Sequence, residues 1–276
     1  MRRQPQLARR FFDRFEPVHA VTYFAPEARA AFDGLGYRGF WMGYFAPERV
    51  AKALPAAWEI AGPEAALRAR QDSAVAALRR YGIGTDENVS VAAELTGRAA
   101  RQAPLDGRPL FAANLALPWP DDPLAALWHA ATLLREQRGD AHVAVLAAAG
   151  VSGRESNVLH AAAGRIAGDY MARARNYDDA AWRHQERRLA DRGLLNDAGS
   201  ITEAGRQLKD HIESATDTLA LSALDRLSDD EVETLFQALT PITQAVVAGG
   251  DVPAATPMGL RRDELGDGSA HLATAD

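Results

Sequence analysis

Apolar and polar positions alternate most clearly between residues 176 and 224, which read NYDDAAWRHQERRLADRGLLNDAGSITEAGRQLKDHIESATDTLALSAL. Asp178 and Asp179 open a helix, with acids at its positive end. Trp182, Leu189 and Ala181 mark its buried side, and Arg192 with Gly193 closes it. Leu194-Leu195 and Ile201 are short apolar runs separated by Asn196-Asp197-Ala198-Gly199-Ser200, a composition that predicts a small β-hairpin. Thr202 caps a second helix that carries Ala204, Leu208, Ile212, Ala215 and Leu219 at helical spacing.

Upstream, an arginine-rich helix is predicted over 7–15. A second stripe through Ala20, Phe24, Ala28 and Ala31-Phe32 stops at Gly34 and Gly36. Phe40-Trp41-Met42 and Tyr44-Phe45 form an aromatic cluster, and Pro47-Glu48 starts a helix through Val50, Leu54 and Trp58. Gly62-Pro63-Glu64 starts another that ends at Gly82, and 88–103 is again helical. The proline-rich stretch at 105–123 reads as an extended connector. Ser228 and Glu231 form a capping box for one more helix, and beyond Gly249 the composition predicts disorder.

The two halves match weakly at an offset of 106, where Glu16-Pro17 meets Asp122-Pro123, Ala20 meets Ala126 and Arg29 meets Arg135. At an offset of 105, Leu54 meets Leu159, Ala56-Ala57 meets Ala161-Ala162, and Arg68-Ala69-Arg70 meets Arg173-Ala174-Arg175. The order of matches favours an internal duplication over coincidental alanine matches. The expected organisation is mainly α: a degenerate winged-helix-like half over 1–104, a connector over 105–121, and a winged-helix half with its β-hairpin wing over 122–226. A terminal helix at 227–248 and a disordered tail at 249–276 complete it.

Composition narrows the chemistry. The 276 residues can bury a sizeable core, and cysteine is absent, which removes disulfides, thiolate metal sites and thiol nucleophiles. No apolar run approaches the roughly 18 residues of a membrane span, and the basic amphipathic start lacks the apolar stretch of a signal peptide. A cytoplasmic protein with no membrane partner is expected. The formal net charge of -6 lowers the prior for a nucleic-acid binder, although charge can be segregated.

The phrase LADRGLL followed by ITEAGRQL resembles the end of the winged-helix domain of MarR-type regulators, in which a recognition helix runs into a wing and a threonine-capped helix follows. Together with residues 16–46, ALPAAW and ALWHAATLLREQRGDAHVA, it makes 10–239 similar to an actinobacterial helix-turn-helix-like family found near natural-product biosynthetic genes. Such members carry an extra segment where Ala46 here runs directly into Pro47-Glu48. The resemblance implies a fold more firmly than an activity, and MarR-type folds often dimerise through terminal helices such as 228–247.

Two classes of function follow. As a ligand-responsive transcriptional regulator, the chain would place 178–192 in the major groove of duplex DNA, with Arg183, His184, Gln185, Arg187 and Arg188 as donors to bases or phosphates. Against this, Asp178, Asp179, Glu186 and Asp191 offset the arginines, and the turn carries Asp197 without a cation. As a cofactor-free enzyme of substitution, elimination or isomerisation, or as a small-molecule binder, it would use a cleft between the halves. Glu16, His19, Tyr23, His129, Arg135, Arg138 and His142 are the candidate ligand-binding residues, with His19, Tyr23, His129 and Arg135 as the catalytic set. The bland reading makes Arg135, Arg138 and Asp140 a salt-bridge network, His19 and Tyr23 a hydrogen-bonded core pair, and Trp41, Trp58, Trp128 and Trp182 core. A third class is a subunit whose acidic surface meets a partner, as a homodimer or with another protein. No phosphate loop, HExxH or GxSxG occurs, so no cofactor or metal is expected.

Overall fold

The computed structural model describes residues 3–37, 58–253 and 260–272. The aromatic cluster at 40–45, the helix start at Pro47 and the junction after Ala46 lie outside them. Helix α1 spans Pro5–Phe24 and α2 Pro26–Gly34. The apolar stripe of 20–32 runs across both, because Pro26 lacks an N–H and holds Ala25 extended at φ -70°, ψ 141°. Helix α3 spans Pro63–Arg80 and α4 Glu87–Gln102, the latter capped by Asp86, which accepts from the Val89 amide at 3.0 Å. Within the stretch read as a connector, Pro109–Leu115 forms a short helix, α5, and Phe111 is completely buried.

Helix α6, Pro123–Ala148, is the axis of the molecule. Asp122 caps it, and its apolar residues Leu124, Leu127, Leu133 and Leu134 are buried around its circumference, the signature of a helix enclosed by others. One hydrophobic cluster joins it to α1, α3, α4 and to α11, Asp229–Ala248, which packs Val232, Leu235, Phe236, Leu239 and Val246 inward. The proposed dimer helix therefore spends its apolar face on its own chain.

The remaining helices form a smaller lobe. Helix α7, Gly153–Ala162, starts with a capping box between Ser152 and Glu155. Helices α8, Gly168–Ala174, and α9, Asp179–Asp191, follow, and α10, Glu203–Ala220, returns along α6. Val158, Leu159, Leu189, Leu194 and Leu195 make the lobe's own core. Val145, Leu146, Val151 and Ile212 join it to the bundle.

Several expectations need correction. No β-strand forms among the described residues, so there is no β-hairpin wing; the helical class agrees. A single antiparallel bridge, Leu195 to Ile201, stands where the wing was expected. The Asn196 carboxamide accepts from the amides of Ala198 and Ser200 at 3.1 and 2.9 Å, and Thr202 is already committed to capping α10. The Asn196 amide still donates to the Ser200 carbonyl and the Thr202 amide to the Leu194 carbonyl, but the Leu194 and Leu195 amides turn back to the Leu189 carbonyl of α9 and the Thr202 carbonyl accepts from Arg206 in α10, so the pairing extends no further. The helix boundaries do not repeat at the offset of 105–106. Pro17 lies inside α1 whereas Pro123 begins α6, and α6 runs unbroken through the positions matching the break at Ala25. The core crosses the division at 105–121. The tail read as disordered is partly packed, with Val252, Leu265 and Ala270 buried. Trp128 is core, but Trp58 is 55% exposed.

Candidate functional site

Two features of the lobe carry chemistry: the outer face of α9 and a cavity behind α7. Helices α8 and α9 are joined by the four-residue turn 175–178, within which Asn176 takes a left-handed φ of 54°. Tyr177 pins this turn to α7, accepting from the Asn157 side chain at 3.1 Å and donating to the Arg154 carbonyl at 2.9 Å. Asp178 then accepts from the Ala181 amide at 2.7 Å and starts α9. A helix, a tight turn and a second helix with an exposed face is the geometry by which proteins place a helix in a DNA groove.

The residues nominated for DNA divide into three groups. Arg183, His184 and Arg187 lie on the exposed face of α9. Arg188 is exposed too, but its Nε donates to Glu155 at 3.1 Å, and Arg192 approaches the same carboxylate at 3.8 Å. That pairing neutralises a buried acid and ties α9 to α7. Gln185 is 9% exposed and faces inward, which corrects its assignment as a base-reading residue. Arg183 lies 4.0 Å from Asp179, so the outer face is of mixed charge.

The cavity has a volume of about 380 Å³ and opens between α1, α6, α7 and α10, where the bundle meets the lobe. Of the predicted ligand-binding residues, Glu16, Arg135, Arg138 and His142 line it; His19, Tyr23 and His129 do not. Arg138 pairs with Asp217 at 2.9 Å and Glu213 at 3.6 Å, Lys209 with Glu213 at 3.1 Å, and Arg135 with Glu136 at 2.9 Å. Burial works against the Glu213 charge, but Lys209, His142 and Arg138 hold that carboxyl at about 2. Burial, reinforced by Lys209, depresses His160 to about 4. His142 meets Thr216 at 3.0 Å, and burial depresses it also. Glu16 is completely buried, and neither of its oxygens has a hydrogen-bond partner. Burial raises it to about 7, Arg135 opposing and Glu136 reinforcing the rise.

The proposed catalytic set is not assembled. Thr132 donates to the Trp128 carbonyl at 3.0 Å, so it accepts from His19 Nδ1 at 3.0 Å, and His19 Nε2 is left to accept from Tyr23 at 3.1 Å. This is an internal chain in the bundle. His129 packs edge-on against Trp119 at 4.9 Å, and burial, then Arg101 and Arg70, lower it to about 4. Only Arg135 of the four reaches the cavity.

Sequence reasoning did not single out Arg9, Lys209 and Glu213 as cavity residues. The Lys209–Glu213 spacing of four reads as a solvated surface pair, and only the docking of α10 beside α6 turns it inward. Among the described residues no group of three or more His, Asp or Glu is placed to hold a metal, and no helix is long and apolar enough to cross a membrane. No curated protein and no solved structure matches the chain. A family model does, without a MarR-type, actinobacterial or biosynthetic-gene qualification. That model, described as a helix-turn-helix family, matches residues 8–47 and 44–253, and the chain belongs to that family.

Proposed function

We propose that the protein is a DNA-binding transcriptional regulator whose affinity for duplex DNA responds to a small molecule held between bundle and lobe. The observation that carries this reading is the α8–turn–α9 unit, which turns Arg183, His184 and Arg187 to solvent while Leu189 anchors it in the lobe core. Arginine donors on such a face suit phosphate and guanine edges. The acidic total charge does not exclude this, because Arg183 and Arg187 stand exposed together on one helix.

The cavity supplies the route for control. Its walls come from α1 and α6 of the bundle and from α7 and the 175–178 turn of the lobe. A ligand that fits one relative placement of these walls better than another shifts the lobe, and so the aim of α9, by its differential affinity.

The test is a gel-shift titration with duplex DNA from upstream of the protein's own gene, at low and raised salt. The wild type is expected to bind, with affinity falling steeply as salt rises. The double variant Arg183→Glu, Arg187→Glu is expected to lose binding while keeping its helical circular dichroism. Arg188 is left alone because reversing it would also strand Glu155. A wild type that shifts no duplex at low salt, or a double variant that binds as well, overturns the reading.

A further inference from the structure

The rotation of α9 about its own axis is fixed, and this decides which of its side chains meet a partner. Leu189 is completely buried and Gln185 is 9% exposed. Trp182 donates through Nε1 to Glu186 at 2.9 Å, and Arg188 is tied to Glu155. These contacts leave Asp179, Arg183, Arg187 and Asp191 on one exposed stripe at a spacing of four, with Ala180 and His184 beside it. Among the described residues nothing pairs with Arg187 or His184, and Arg183 meets only Asp179, at 4.0 Å.

We propose that α9 selects G·C pairs, Arg183 and Arg187 each taking a guanine in the major groove within about two base-pair steps of the other. This deepens the regulator reading by naming the sequence class of its DNA, and it rests on that reading. The inventory of the face is one-sided. The arginine fork fits the O6 and N7 acceptors of guanine, and a carboxylate accepts from the cytosine amine, whereas adenine is matched by asparagine or glutamine. The exposed face of α9 carries neither amide, because Gln185 is turned inward, and only Ala180 offers a methyl group to thymine. The spacing follows from the helix: four residues rise about 6 Å, against about 3.4 Å for each base along one strand. The acids favour base edges over backbone. Laid along the phosphates, the stripe would bring Asp179 or Asp191 against like charge, whereas cytosine offers them a donor.

The experiment uses the full chain and a pool of duplexes with a randomised centre, selected at raised salt so that backbone contacts alone do not retain DNA. The retained sequences are expected to share two guanines within about two steps of each other. Fluorescence anisotropy then titrates one such duplex. Replacing either guanine with 7-deazaguanine removes the N7 acceptor and keeps the pairing, and it is expected to weaken the wild type by about tenfold. Arg187→Ala is expected to be indifferent to that replacement at one position and as sensitive as the wild type at the other. Arg183→Ala should show the converse. Arg187→Gln is expected to move the preference at its position from guanine to adenine.

Both arginines are exposed, so each variant is expected to keep the helical circular dichroism of the wild type. Retained sequences that share no guanines overturn this proposal and leave the regulator reading standing. So do alanine variants that lose affinity for every duplex by one common factor, the mark of a phosphate contact. A pool from which nothing is retained even at low salt overturns both.

Discussion

Replacing Glu16 with glutamine isolates the cost of one buried, unpartnered carboxyl. Its ordinary value is near 4.5, and in the folded chain it is raised to about 7, burial being the largest cause. Between those values the folded state binds more protons than the unfolded state, so stability falls as pH rises and is lost through pH 7. The shift of about 2.5 units, at roughly 1.36 kcal/mol each, makes ionised Glu16 cost about 3 kcal/mol above pH 7 relative to below pH 4.5. Glutamine keeps the shape and removes the charge. The stability difference, variant minus wild type, is therefore expected to grow by about 3 kcal/mol across that window. Urea unfolding at several pH values measures it. In melting temperature the same change is about 6 °C for a chain of this size, at roughly 2 °C per kcal/mol. Other titrations, including the acid-side losses from His129 and His160, cancel in the difference because both proteins carry them. A flat difference between pH 4.5 and pH 8 would show that Glu16 has an ordinary pKa, and the burial argument would fail.

Three further outcomes are expected. Gly205→Ala should destabilise by about 2 kcal/mol or more, because an added Cβ would lie 2.3 Å from the Leu194 carbonyl oxygen and 2.8 Å from Ile201; an unchanged thermal melt would refute this close approach. Arg14 is fully buried over the Phe236 ring and donates to Thr240 at 2.8 Å and the Asp267 carbonyl at 2.9 Å. Arg14→Met should cost about 3 kcal/mol and expose 260–272 to protease, whereas a wild-type cleavage pattern would show that this segment is held by other contacts. Glu155→Ala removes the α7 capping box and the partner of Arg188, and should weaken the lobe by about 2 kcal/mol. Hydrogen exchange should then rise in α7 and α9 while α6 is unaffected; uniform exchange across both would contradict a separate lobe core.

How far the sequence carried can be argued from particular residues. Asp178, Thr202 and Ser228 were legible as helix starts because a cap acts on an amide two or three positions away, and each does so here. The stop at Gly193 was legible for the same reason, since its φ of 71° is set within the turn. The site was half legible. Glu16, Arg135, Arg138 and His142 could be named from charge and spacing, but so could His19, Tyr23 and His129, which the fold uses elsewhere.

What the chain determined by itself is therefore local: where helices begin and end, and which stripes are apolar. What only tertiary structure decided is the environment of each polar group. The hairpin composition at 194–202 yielded a single bridge because the ends of α9 and α10 claim the Leu194 amide and the Thr202 carbonyl that would extend it. Glu16 became a buried acid because α6 and α10 close over α1, and desolvation depends on every element that excludes water from a group, however distant along the chain.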